Sequence, residues 1–167
     1  RQLRSRDEAA FRKALDYYES ELVPALARAD SDPLAAWTEY EGRLLLAVSK
    51  NGGKVFSQPQ HVGGSDERPA RAPSLAFAPD GKLHVAWTDG NLHIDGETIE
   101  RSAYADAPKI AFDPKGSLHL AWSEDGRVMY RRGLEAPREV AKGAFPSLGL
   151  DVKGGVYLAW ELARGGG

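Results

Sequence analysis

Pro73-Ser-Leu-Ala-Phe-Ala-Pro-Asp-Gly81 and, one residue on, Leu83-His-Val-Ala-Trp87 form a stretch that this chain of 167 residues writes three times. It returns as Pro108-Lys-Ile-Ala-Phe-Asp-Pro-Lys-Gly116 with Leu118-His-Leu-Ala-Trp122, then as Pro146-Ser-Leu-Gly-Leu-Asp-Val-Lys-Gly154 with Val156-Tyr-Leu-Ala-Trp160. The offsets are 35 and 38 residues, and the remaining tryptophan, Trp37, also follows an alanine. A period of this length, made of short alternating strands and Gly turns, predicts blades stacked around an axis rather than one compact sheet.

Within each unit the alternation reads as a hairpin. Leu83, Val85 and Trp87 fall on one side of a strand and His84 and Ala86 on the other; Leu118, Leu120 and Trp122 repeat this, as do Val156, Leu158 and Trp160. One face is expected to be buried. The preceding strand alternates through Leu75 and Phe77, Ile110 and Phe112, or Leu148 and Leu150, and each pair is joined by a turn ending at Gly81, Gly116 or Gly154. The alanine before each indole leaves room at a seam between blades, so Trp37, Trp87, Trp122 and Trp160 are read as the repeat core. Two further strands follow Trp87 and Trp122. The unit around Trp37 lacks its leading Pro-x-Leu strand and the unit around Trp160 stops soon after it. The repeats therefore run near 33–62, 73–100, 108–140 and 146–162, about four blades with the outer two incomplete.

The first unit adds a distinctive turn. Ser49-Lys-Asn51-Gly-Gly53-Lys-Val55-Phe56 follows Arg43-Leu-Leu-Leu-Ala-Val-Ser49, which reads as a strand, and precedes Ser57-Gln-Pro59. This resembles the Asp-box, or bacterial neuraminidase repeat, whose pattern is Ser-x-Asp-x-Gly-x-Thr-Trp: Ser49, Gly53 and the aromatic Phe56 match, while Asn51 stands for Asp and Val55 for Thr. The resemblance covers roughly residues 33 to 160. It implies a mainly β fold, a sialidase-like β-propeller, with Ser49, Asn51, Gly53 and Phe56 forming a structural turn rather than a catalytic one. It also implies a location outside the cytoplasm, periplasmic, cell-surface or secreted.

Residues 1–30 differ in kind from residues 31–167, the β-propeller segment. Asp7 to Leu22 has neither Gly nor Pro and carries acids in its first turn, which predicts an N-terminal α-helix. Phe11, Leu15, Tyr18 and Leu22 step by 4, 3 and 4 and make one amphipathic stripe. That stripe is a candidate partner surface, suited to docking on the β domain or pairing with another helix. Pro24 ends or bends the helix. Arg1, Arg4 and Arg6 would suit the flank of a removed membrane anchor, and a chain beginning at Arg1 without Met reads as cut from a longer precursor.

Composition narrows the function. A formal charge of −2 with both signs interspersed supplies no field to attract nucleic acid, and the absence of Cys removes disulfides, thiolate metal sites and cysteine nucleophiles. His84 and His119 are equivalent, but Tyr157 takes that place in the next unit, and His61 and His93 stand apart, so no metal or cofactor is expected. Glu39, Asp89, Glu124 and Glu161 recur just after the tryptophans and are read as turn and surface carboxylates, with a ring around one mouth as the functional alternative. A sialidase also needs an arginine cluster, a Tyr-Glu nucleophile and an acid. No Arg-Ile-Pro precedes the first box, Tyr40 and Glu41 are adjacent, and Arg131 and Arg132 point oppositely. The reading is a non-catalytic binding or assembly module of an exported or membrane-tethered bacterial protein. Its partner is another protein chain, or a missing segment of the same protein, that completes the ring. Two alternatives stand beside it: a fragment of a sialidase-like glycoside hydrolase whose catalytic residues lie elsewhere, and a stalk-anchored component of a membrane or filament complex.

Overall fold

The computed structural model describes residues 34–38, 42–102 and 104–162, with Ala36 the one side chain described in the first stretch. The expected helix over residues 1–30, its stripe of Phe11, Leu15, Tyr18 and Leu22, and the side chain of Trp37 lie outside the described residues. What is described is mainly β. The strands are β1 (Leu34–Thr38), β2 (Leu44–Val48), β3 (Gln60–Gly63), β4 (Arg71–Phe77), β5 (Leu83–Thr88), β6 (Leu92–Ile94) and β7 (Glu97–Glu100). They continue as β8 (Ala105–Phe112), β9 (Leu118–Glu124), β10 (Arg127–Arg132), β11 (Arg138–Lys142), β12 (Ala144–Leu150) and β13 (Val156–Glu161). Four sheets result, ordered β1-β2-β3, β4-β5-β6-β7, β8-β9-β10-β11 and β12-β13. Among the described residues no helix is long and apolar enough to cross a membrane.

The chain divides into two compact units, one that includes Ala47–Gln58 and one formed by Ala36–Leu46 with Pro59–Gly167. In the first, Ser49 and Phe56 form an antiparallel bridge closed by the Ser57 amide donating to the Val48 carbonyl at 2.8 Å.

The second unit shows why the repeat keeps both a proline and a tryptophan. In the β4–β5 ladder Arg71 pairs with Thr88 and Ser74 with Ala86, which leaves Ala72 and Pro73 together opposite Trp87. The same two-against-one arrangement sets Ala107 and Pro108 opposite Trp122, and Phe145 and Pro146 opposite Trp160. These are β-bulges. Proline has no N–H to give the ladder and is tolerated within a strand where the pairing is interrupted. The residue before it takes the left-handed conformation each time, with φ of 49° at Ala72, 48° at Ala107 and 51° at Phe145. That conformation costs roughly 1–2 kcal/mol in an L-residue, so its recurrence marks a position held by its surroundings.

Those surroundings are the neighbouring sheets. The Ala105 amide donates to the Gly90 carbonyl at 3.0 Å, Gly143 to Gly126 at 2.9 Å and Ala70 to Gly42 at 2.8 Å. Each tie joins the residue three before a repeat proline to the turn that follows the preceding tryptophan strand. A hydroxyl adds a second link: Thr88 Oγ1 donates to the Ala105 carbonyl at 2.8 Å, and Ser123 Oγ accepts from the Phe145 amide at 2.7 Å.

The sheets stack through side chains on both faces of the tryptophan strands. Val85 and Trp87 pack with Leu44 and Ala70, while Ala86, on the other face of β5, packs with Leu92, Ile94, Ala105, Ile110, Leu120 and Trp122. The expectation of a single buried face therefore fails for β5 and β9, because each is covered by one neighbouring sheet on each side. The small alanine sits where the next repeat's indole arrives. Gly63 serves the same purpose for Trp87, since a Cβ there would lie 2.8 Å from the indole. Trp87 is 6 % exposed and Trp122 0 %, but Trp160 is 37 % exposed.

Burial of this kind predicts unequal costs. Trp122→Ala is expected to destabilise by about 3–5 kcal/mol and Trp160→Ala by less than about half of that. Equilibrium denaturation of the two variants checks the difference, and equal losses would contradict the burial gradient.

Candidate functional site

The repeat turn that joins β4 to β5, β8 to β9 and β12 to β13 also builds the polar site. In the second and third repeats an aspartate opens it. Asp113 Oδ1 accepts from the backbone amides of Lys115 at 2.9 Å and Ser117 at 2.8 Å; Asp151 Oδ1 accepts from Lys153 at 2.8 Å and Gly155 at 2.7 Å. Gly116 and Gly154 complete these turns at φ of 82° and 85°, where an L-residue would be strained. In the first repeat Ala78 holds the equivalent place, and Asp80 caps the turn by accepting from the Lys82 amide.

The free oxygen of each aspartate looks toward the residue six positions on. Asp151 Oδ2 accepts from the Tyr157 hydroxyl at 2.9 Å, while Asp113 Oδ2 lies 3.5 Å from His119 Nε2 and 3.0 Å from Arg132 Nη2. Arg132 is directly opposite His119 in the β9–β10 ladder and Tyr130 is two residues along, so all three side chains share one face. Tyr130 closes the group with its hydroxyl 2.6 Å from His119 Nδ1, and Arg138 lies 5.1 Å over its ring. The Asp113 carboxylate beside Nε2 favours the imidazole proton there, which makes the Tyr130 hydroxyl the donor to Nδ1.

Asp113, His119 and Tyr130 are 4 %, 2 % and 6 % exposed, yet they line a cleft of about 310 Å³. Its other walls are Pro114, Lys115 and Arg132 on one side and Val152, Lys153, Gly154 and Val156 on the other. Two equivalent turns from consecutive repeats thus face each other across it. Where the previous pair of sheets meets, Phe112 packs on His84 with ring centroids 4.7 Å apart, and Asp95 Oδ2 takes His84 Nδ1 at 2.8 Å. The third repeat has Leu150 in the place of Phe112, a smaller side chain at the position that covers the earlier histidine.

The charges are graded by these contacts. The Ser117 amide, outweighing the effect of burial together with Arg132, the Lys115 amide and His119, holds the Asp113 carboxyl far below the ordinary aspartate range. Burial raises the Tyr130 phenol, against the pull of Arg138 and Arg132. The Gly155 amide, then the Tyr157 hydroxyl, lower the Asp151 carboxyl. His119 Nε2 faces Asp113 Oδ2 at 3.5 Å but forms no hydrogen bond among the described residues, a rare state for a buried donor.

A second polar group lies near Trp87. His93 stacks on that indole at 4.0 Å and 13°, its Nε2 is 3.0 Å from Asp89 Oδ1, and Asp89 Oδ2 pairs with Arg68 at 2.8 Å. Burial raises the Asp89 carboxyl, but the bonds from His93 and the Asn91 amide and the charge of Arg68 leave it lowered on balance. Sequence spacing left His93 isolated; the hairpin β5–β6 brings Trp87 opposite it.

The other sequence candidates are distributed as follows. Ser49 Oγ accepts from the Gly53 amide at 2.9 Å and donates to Asn51 Oδ1 at 2.8 Å, and Asn51 Oδ1 also accepts from the Val55 amide at 2.9 Å. Gly53 has φ of 84° and Phe56 is half-buried. His61 Nε2 lies against the Gly63 and Gly64 carbonyls. Glu124 accepts from Trp122 Nε1 at 2.9 Å and from the Ser102 hydroxyl at 2.8 Å, so two members of the repeated carboxylate set, Asp89 and Glu124, are engaged within the protein. Glu161 is exposed, and Glu39, Tyr40 and Glu41 are outside the described residues. Arg127 donates to the Glu124 carbonyl, and Arg131 donates to the Gly133 carbonyl and lies 3.7 Å from Glu100, while Arg132 goes to Asp113. The three arginines do not converge. Among the described residues no three His, Cys, Asp or Glu stand together as a metal set. Asp113, Tyr130 and Asp151 were not singled out in the sequence, although the aligned repeats place Asp113 and Asp151 at one position.

No protein-family model matches the chain, and no curated protein matches it.

Two outcomes are expected. Asn51→Ala removes the acceptor of two bonds and should cost on the order of 1 kcal/mol, whereas Asn51→Asp, which keeps the acceptor, is tolerated and calcium does not shift the melting temperature. Because Asp113 has a lowered carboxyl in the folded state, its contribution is present above the unfolded aspartate value of about 4 and is lost as pH falls below it. Asp113→Asn should therefore destabilise the protein at neutral pH and flatten the acid limb of a stability–pH profile. Parallel profiles would show that the carboxylate makes no differential contribution.

Proposed function

We propose that the chain is a segment of an Asp-box-type β-propeller that works as a non-catalytic binding or assembly module through an open strand edge. The observation that carries this is β13. Its equivalents β5 and β9 each pair on both sides, with β4 and β6 and with β8 and β10, whereas β13 pairs with β12 and, among the described residues, with no strand on its outer side. An unpaired edge presents a row of free backbone donors and acceptors, a template for a further strand.

The side chains of that edge fit the same use. Val156, Tyr157, Trp160 and Leu162 are exposed on β13 or just past it, with Phe145 exposed on β12. An added strand would bring to Trp160 the cover that His93 and Met129, the ladder partners of Trp87 and Trp122, give those residues. The partner is another protein chain or a further segment of the same protein that supplies strands in the places of β10 and β11. The dispersal of Arg127, Arg131 and Arg132 into separate contacts supports a non-catalytic role, since a bidentate carboxylate clamp needs them to converge. The likeness of the Ser49–Phe56 turn to the Asp-box supports a place outside the cytoplasm.

Light scattering on the 167-residue chain tests the reading. Concentration-dependent association, reduced by placing Lys or Pro in β13, is the expected result. A soluble monomer that unfolds cooperatively and does not aggregate slowly would overturn it.

A further inference from the structure

We infer that the cleft between the Asp113 and Asp151 turns is a binding site for a small oxyanion, the carboxylate or phosphate group of a ligand, held by Lys115, Lys153 and Arg132 with His119 behind them. The argument begins with which hydrogen-bonding capacity the cleft has already used. Asp113 accepts from two backbone amides through one oxygen and takes Arg132 through the other. Nearly all of its accepting capacity toward the cleft is consumed. The donors are in the opposite condition.

Lys115 and Lys153 are exposed at the cleft and their ammonium groups have no partner among the described residues, so each offers its full set of protons. Arg132 uses Nη2 on Asp113 and at the limit of range on Ser117, which leaves its remaining N–H groups available. His119 lines the same space, with its Nε2 buried 3.5 Å from Asp113 Oδ2. Three cationic side chains therefore stand against the two turn carboxylates, Asp113 and Asp151, whose oxygens are already engaged, and the surplus is positive. A site with spent acceptors, open donors and a net positive charge takes a group that accepts hydrogen bonds and carries negative charge.

The rest of the cleft adds shape. Its volume of about 310 Å³ suits a small molecule or the terminus of a larger one, and Pro114, Val152 and Val156 supply apolar wall beside the cations. The two lysines come from equivalent positions of consecutive repeats, so the site exists only where two Asp-x-Lys-Gly or Asp-Val-Lys-Gly turns stand side by side. The first repeat has Ala78 and Asp80 at the places of Asp113 and Lys115, and Phe112 occupies the space against His84. The same chain thus holds a filled version of the site and an open one.

Isothermal titration calorimetry on the full chain with inorganic phosphate and, separately, with propionate is the test, with chloride at matched ionic strength as the control for screening. Saturable binding of one or both is expected, and the stronger of the two identifies the source of the oxyanion. In Lys115→Gln/Lys153→Gln the affinity should fall about tenfold or more, as expected for losing two charge contacts. Lys50→Gln/Lys54→Gln should leave it unchanged. Both lysine pairs are exposed, so folding is retained, and circular dichroism verifies this. Binding of neither anion, or binding that survives the loss of Lys115 and Lys153, would overturn the site.

Discussion

Each of the three repeats that begin with a proline depends on a bulge held against a tryptophan. The ladder must be interrupted where Ala72–Pro73, Ala107–Pro108 and Phe145–Pro146 meet Trp87, Trp122 and Trp160, since Pro has nothing to donate and the residue before it is turned to positive φ. A bulge bends its strand and increases its twist. The strand start is thereby brought to the previous sheet, where Ala105 bonds Gly90 and Thr88, and where Gly143 and Phe145 bond Gly126 and Ser123. Local backbone strain and sheet-to-sheet attachment are two sides of one arrangement, and the indole supplies the burial that offsets the strain.

The polar chemistry grows from the same frame by small substitutions. One turn geometry is used in all three repeats, closed by Gly81, Gly116 and Gly154 donating to the carbonyls of Ala78, Asp113 and Asp151. With Ala78 in the first position, His84 turns to Asp95; with Asp113, His119 meets a carboxylate, an arginine and a tyrosine; with Asp151, the partner is the exposed Tyr157. Repetition fixes the backbone, and divergence at two or three positions then decides whether a seam is filled by a ring or left as a cleft. Fold and site are separable in this chain for that reason.

Much of the strand order was legible because it rests on local signals. Alternation in Leu83–Trp87 and its copies, together with Gly at the turns, is enough to define β4–β5, β8–β9 and β12–β13 as hairpins. The bulge was less legible: Pro73, Pro108 and Pro146 were visible as a repeated letter, but their place opposite a tryptophan depends on register between strands. The burial of both faces of β5 and β9 was missed for a similar reason, since covering the His84–Ala86 side requires a neighbouring sheet that alternation within one strand does not report. The site was the least legible part. His119 looked like a packing residue, and its meeting with Asp113, Tyr130 and Arg132 joins a turn to the far end of a hairpin. The signal available was Asp113 aligned with Asp151, six residues before an aromatic or imidazole in both copies. The stacking of His93 on Trp87 had no comparable signal, because the β5–β6 and β9–β10 turns differ in length and set His93 and Met129 at different distances along the chain from their tryptophans.

The one-sided ties between sheets also set an order in which structure is lost. Strands β5 and β9 are covered on both faces, while the β12–β13 sheet is attached to one described neighbour, chiefly through Gly143, Phe145 and the contact of β12 with β8. Its opening leaves the core around Trp122 tied to the sheet of Trp87 and removes cover from one face of β9 only. Opening the middle sheet instead separates everything on either side of it. Among the described residues, fluctuations short of global unfolding therefore release the β12–β13 sheet without opening the sheets of β5 and β9, and the amides of β12 and β13 exchange with solvent before those of β5.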